Sequence, residues 1–118
     1  MTPGFILILF VYAAGLSIGQ ILFKLSAEIA RRQGDNFIKA LLFEPRFILA
    51  IALYGALTLL WTWILSKVPL SRAYPFVALA FALTPILANT YLGENITTGI
   101  WLGTALILAG LFIVVYSN

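Results

Sequence analysis

The sequence contains no cysteine and no histidine. Disulfides, thiolate nucleophiles and imidazole-based metal or acid–base sites are therefore excluded. Charge is scarce too. Charged residues make up 9% of the chain, with four acidic against seven basic side chains and a net charge of +3. That is too little basic character for nucleic-acid binding, and the basic residues form no stripe. Glu94 is the only acid in the second half of the chain. No paired carboxylate, nucleophile–base pair or metal cluster is visible, so neither an enzyme nor a metal or other cofactor is expected.

What the chain has in abundance is hydrocarbon. Hydrophobic residues make up 63% of the 118. A soluble protein of this size has too much surface for its volume to hide them. The bilayer must act as the solvent for most side chains. One domain covering 1–118 is expected. The start, Met1-Thr2-Pro3-Gly4, carries no basic residue ahead of its apolar run, unlike a signal peptide. Ala13-Ala14-Gly15 imitates a cleavage site, but the run continues past it, so the segment reads as a retained helix.

A spanning helix needs about 20 apolar residues. Four such runs are present, at about 5–25, 47–65, 73–92 and 100–116. The fold class is an all-α membrane protein, a bundle of four transmembrane helices. Pro45 suits the first turn of the second span. The links 67–72 and 93–99 are short, while 28–46 is longer. In that longer link Asp35 or Asn36 is placed to cap a short interfacial helix containing Phe37, Ile38, Leu41 and Leu42. The alternative is an early start to the second span. Arg31, Arg32, Lys39 and Arg46 lie on one side of the membrane, and Lys67 and Arg72 on the other. The positive-inside rule puts the first group in the cytoplasm and both termini outside, though the bias is small.

Polar groups inside a span are costly and mark function or packing. Ser17, Gln20, Lys24 and Glu28 follow one another at spacings of three, four and four, so they share one face of the first helix. Lys24 is the costliest, at roughly 3 kcal/mol if it sat at the bilayer centre. Near a helix end it can also simply snorkel, paired with Glu28. Gln20 lies deeper on the same face, and an ammonium beside an amide donor suits a phosphate oxygen.

In the third span Arg72, Tyr74 and Pro75 mark the entry, and Thr84, Pro85 and Asn89 lie further along. Pro85 should bend the helix. Asn89 reads as a donor to a carbonyl on a neighbouring span. Arg72 is either an interface anchor or a bidentate phosphate ligand. Tyr54, Thr58, Trp61 and Thr62 share a face of the second span. Trp61 and Trp63 read as interfacial aromatics before they read as a platform for a sugar or cation. Gly15 and Gly19 form one GxxxG, Gly99 and Gly103 another, and Gly110 continues the second face. Such stripes bring backbones together, within a subunit or between subunits. Four helices barely enclose a substrate path, so a dimer is expected, with like or unlike and parallel or inverted subunits.

Three segments together resemble the drug/metabolite transporter superfamily, with its small multidrug resistance and EamA-like types. They are Gly19-Gln20-x-x-x-Lys24, Val68-Pro69-Leu70-Ser71-Arg72-Ala73-Tyr74-Pro75, and Leu92-Gly93-Glu94-Asn95 before a glycine-rich last helix. The resemblance covers nearly the whole chain. The small multidrug resistance branch exports cations through a membrane-embedded glutamate, and alignment puts Leu16 at that position. No acid precedes Glu28. The second branch, the aminoarabinose-lipid flippase subunits of bacterial envelopes, is similar at all three segments.

That resemblance implies movement of an undecaprenyl-phosphate-linked sugar across the bacterial inner membrane, for modification of envelope glycan or lipopolysaccharide. It makes Gln20, Lys24, Arg72, Tyr74 and Glu94 the positions to carry over, with Ser17 completing the polar wall. Lys24 would neutralise the phosphate, with Gln20 and Arg72 assisting. Glu94 would meet a sugar amine or cap its turn. Export of small cations and a non-transporting scaffold subunit are the competing expectations.

Overall fold

The computed structural model describes residues 3–34 and 36–117. All regular structure among them is helical: α1 Pro3–Arg32, α2 Phe37–Leu42, α3 Pro45–Leu65, α4 Leu70–Ala73, a 3₁₀ turn Tyr74–Val77, α5 Ala78–Leu92 and α6 Thr98–Tyr116. Four stretches are long and apolar enough to cross a membrane: α1, α3, the compound span Leu70–Leu92, and α6. The chain is a multi-pass membrane protein.

The helix ends follow from local chemistry. Asn36 caps α2, its side chain accepting from the Lys39 amide at 3.1 Å. The alternative cap, Asp35, lies outside the described residues. Glu44 caps α3 through the Arg46 amide at 3.3 Å, and Pro45 occupies the first turn, where its missing N–H costs nothing. The separate α2 answers the question left by the sequence: the second span does not start early. Thr97 caps α6.

Two boundaries differ from expectation for physical reasons. The third span starts at Leu70 rather than near 73, and it is not one uniform α-helix. Pro75 has no N–H to close on the Ser71 carbonyl, and the chain tightens into the 3₁₀ turn there. The first helix continues to Arg32. Thirty residues make about 45 Å of helix, well beyond a hydrocarbon core of about 30 Å. Its last two turns carry Glu28, Arg31 and Arg32, charged residues that suit the part of the helix in excess of the hydrocarbon.

The helices form a slab rather than a square bundle. The principal extents are 54 × 36 × 18 Å, and 18 Å is less than two helix diameters of about 10 Å. α1 is central, packed on α3 and on α5, while α6 leans mainly on α5. The buried apolar cluster comprises Leu9, Tyr12, Leu57, Ile64, Val68, Ala73, Phe76 and Leu111. These residues gather where α1 begins and α3 ends. The slab is thus tight at that end and opens toward the other, where α1 and α5 finish.

The two glycine stripes have different fates. A methyl on Gly15 would come within 2.9 Å of Leu57, and one on Gly19 would overlap the Tyr54 ring. The first GxxxG is therefore the notch that seats α3 within the subunit. Gly103 and Gly110 meet nothing within 4 Å, and Gly99 meets only its own turn residue Thr97. That second stripe has no partner in the chain among the described residues.

Candidate functional site

The polar face of α1 divides into three levels. The deepest is Ser17, which is 0% exposed. Its hydroxyl accepts from Thr84 Oγ1 at 3.1 Å and donates toward the Ala80 carbonyl at 3.5 Å. These bonds tie α1 to α5 beside Pro85. Ser17 is closed off between helices, so it does not join the open wall expected of it. Burial without a partner would be costly, and Thr84 supplies the partner.

Gln20 occupies the next level. Its Nε2 donates to Tyr54 Oη at 2.6 Å, and Tyr54 Oη donates to the Leu16 carbonyl at 3.0 Å. Leu16, Gln20 and Tyr54 line one side of a pocket of about 550 Å³, faced by Val77, Ala80, Phe81, Thr84 and Pro85. Tyr54 was assigned by sequence only to a shared face of its helix. Its role depends on the Gly19 notch, a contact between distant segments. Tyr54→Phe removes the hydroxyl but keeps the ring contact with Phe23, at 5.1 Å between centroids. The variant is expected to fold and to lose about 1 kcal/mol, since a hydrogen bond between membrane helices averages about 0.6 kcal/mol. Unfolding of purified protein in increasing sodium dodecyl sulfate measures this.

Lys24 and Glu28 stand at the open end. Lys24 Nζ lies 3.1 Å from Glu28 Oε1, and Arg31 Nη2 lies 2.7 Å from Glu28 Oε2. The side chain of Lys24 is 49% exposed. It faces a cavity of about 850 Å³, lined also by Glu28, Arg32, Arg46, Tyr91 and Glu94. Arg46 Nη1 is 3.2 Å from the capping carboxylate of Glu44. Glu28 and Glu44 are thus each paired. Glu94, on the same cavity, makes no ion pair among the described residues.

The turn before α6 does not need the Glu94 side chain. Asn89 Nδ2 donates to the Glu94 carbonyl at 2.9 Å, and the Glu94 amide donates to Ala88 O at 3.2 Å. Gly93 adopts φ +69°, the left-handed conformation that ends a helix with little strain. Asn89 therefore closes its own turn rather than reaching a neighbouring span. The Glu94 carboxylate is left to the cavity.

Arg72 and Tyr74 lie at the opposite end of the slab. Arg72 Nη1 donates to the Ser117 carbonyl at 2.7 Å, tying the third span to the end of α6. Tyr74 is 61% exposed and packs edge-on against Trp61 at 6.1 Å, and Trp61 stacks on Tyr12 at 5.0 Å. Trp63 stacks on Phe5 at 5.7 Å. Arg72 therefore does not assist Lys24. Successive spans run in opposite directions, so a residue between the second and third must face away from the end of the first. The same alternation brings Arg46, at the start of α3, and Tyr91, at the end of α5, to the cavity, although neither was singled out as a site residue.

The arrangement separates chemistries along α1. An exposed cavity of mixed charge, rich in cations, stands at one end. A largely apolar pocket follows one turn deeper, then a sealed core. No group of three or more metal-ligating side chains occurs among the described residues.

Residues 2–116 match the EamA-like transporter family. The probable 4-amino-4-deoxy-L-arabinose-phosphoundecaprenol flippase subunit ArnE of Pectobacterium atrosepticum is 34% identical over 103 residues, covering 82% of this chain and 85% of that protein. The protein of the same name from Aeromonas salmonicida is 33% identical over 92 residues, covering 78% and 80%. That of Yersinia pestis is 37% identical over 65 residues, covering 55% and 57%. No solved structure matches the chain significantly. A four-span fold, a family match over almost its whole length and relatives aligned over most of theirs lead to one conclusion: this chain belongs to the EamA-like transporter family.

Proposed function

We propose that the chain is a flippase subunit that moves a polyprenyl-phosphate-linked aminosugar across the bacterial inner membrane, as the names of its relatives suggest. The observation that carries this reading is the cavity of about 850 Å³ at the end of α1, where Lys24, Arg32 and Arg46 meet the paired Glu28 and Glu94, the latter without an ion pair among the described residues. A lipid-linked aminosugar phosphate carries one negative phosphodiester and one ammonium. Lys24 and the nearby guanidiniums suit the first, and Glu94 suits the second. The basic residues of the α1–α3 link lie at the same end, which the positive-inside rule assigns to the cytoplasm. The structure would then be open toward the leaflet where the lipid is loaded.

A slab 18 Å thick cannot surround a sugar. A second four-helix subunit, identical or similar, supplies the missing wall in this reading. The unpartnered Gly99, Gly103 and Gly110 face is suited to receive it.

Reconstitution tests the proposal, with and without a second subunit. A membrane-impermeant amine reagent reports which leaflet holds the aminosugar lipid. Glu94→Gln is expected to slow the aminosugar lipid at least about tenfold, from loss of one charge-assisted bond. A lipid with a neutral sugar should move as before. Equal slowing of both lipids would remove Glu94 from head-group recognition, and no movement under any pairing would reject the flippase reading.

A further inference from the structure

The pocket beside Gln20 has features that the charged cavity lacks. Its polar groups are largely committed to one another. Gln20 bonds Tyr54, Tyr54 bonds the Leu16 carbonyl, and Thr84 bonds Ser17. What the pocket offers an occupant is mainly the hydrocarbon of Leu16, Val77, Ala80, Phe81 and Pro85. Its volume of about 550 Å³ exceeds what one small side chain would fill.

Its position matters as much as its lining. Gln20 precedes Lys24 by one helical turn, about 6 Å along the axis toward the membrane interior. A lipid with its phosphate at Lys24 must direct its chain inward from there. The first hydrocarbon units reach this depth whatever lies beyond them. A sugar at this level would face paired hydroxyls and pay for its own desolvation.

We infer that the pocket between Leu16 and Ala80 is a chain-binding site, which takes the phosphate-proximal hydrocarbon of the lipid whose head group sits at Lys24. The inference rests on the charged cavity being the head-group site and extends it to the chain. It makes the subunit a reader of two chemistries at once, with Gln20 and Tyr54 at the border between them.

The test separates chain from head. The affinity of detergent-purified protein is measured, in one detergent, for the chainless methyl phosphodiester of an aminopentose and for the same head on a short prenyl chain and on undecaprenol. The wild-type protein is expected to bind the prenyl-linked forms about tenfold or more above the chainless one. Ala80→Phe fills the pocket, so chain dependence should vanish while chainless affinity is kept. Leu16→Phe, from the facing wall, serves if Ala80→Phe does not reach the membrane. Chain dependence that survives both substitutions overturns the chain site and leaves the head-group site standing. Failure of the wild-type protein to bind any of the three forms overturns both. Because the chain has no cysteine, Phe81→Cys reports another occupant. A disulfide between copies in native membranes, blocked by Ala80→Phe, would give the pocket to a second subunit and overturn the inference.

Discussion

Replacing Lys24 with alanine is expected to slow translocation of the lipid-linked aminosugar roughly tenfold to a hundredfold while leaving the fold intact. The side chain is half exposed at the end of α1, and its partner Glu28 keeps Arg31 at 2.7 Å when Lys24 is removed. Little packing is therefore lost. Binding suffers more. A charge-assisted bond to phosphate contributes about 1.5–3 kcal/mol, or roughly tenfold to a hundredfold in affinity. In the proposed reading the loss falls where the head group enters the membrane, and Glu28, no longer shared with Lys24, presents more uncompensated negative charge to the phosphate. Lys24→Arg keeps the charge and should retain part of the rate. The impermeant-reagent assay measures all three proteins. Normal translocation by a folded Lys24→Ala protein would end the assignment of the phosphate to this residue.

The second large effect concerns stability. Gly19→Leu is expected to destabilise the subunit by at least about 1–3 kcal/mol, the range for forcing extra carbon into a packed contact. Even a methyl at Gly19 overlaps the Tyr54 ring. Relief requires the ring to leave, which breaks its bonds to Leu16 and Gln20 and separates α1 from α3. Gly110→Leu is the control. It meets nothing within 4 Å in the chain, so its unfolding midpoint in detergent should stay near that of the wild-type subunit. Equal loss in the two variants would show that the Gly19 notch is not a special contact.

The fold was largely legible in the sequence because the bilayer demands continuous apolar runs. The four spans, the Pro45 start and the Asn36 cap each rest on a local rule. Illegible features came from two sources. Pro75 announces a disturbance, but its resolution as a 3₁₀ turn depends on how the third span packs at the tight end. Ser17, Gln20 and Lys24 lie on one face, and helical periodicity alone cannot say that α5 seals Ser17, that α3 reaches Gln20 and that only Lys24 stays open. Arg72 is a different case, read either as an interface anchor or as a phosphate ligand. Span direction alone placed it at the far end, and motif resemblance outweighed that geometry. Glu94 became distinct only when Asn89 and Gly93 were seen to close the turn without its carboxylate.

The openness of the charged cavity sets the terms of competition in a living membrane. Anionic phospholipids are far more abundant than any envelope precursor, and they offer Lys24 and Arg46 the same phosphate. Capture is then an exchange, and apparent affinity falls in proportion to occupancy by bulk lipid. Cations alone would not rank the lipid-linked aminosugar above an anionic phospholipid. In the proposed reading Glu94, which makes no ion pair among the described residues, changes the ranking, because it repels a head group that carries only negative charge and rewards one that also brings an amine.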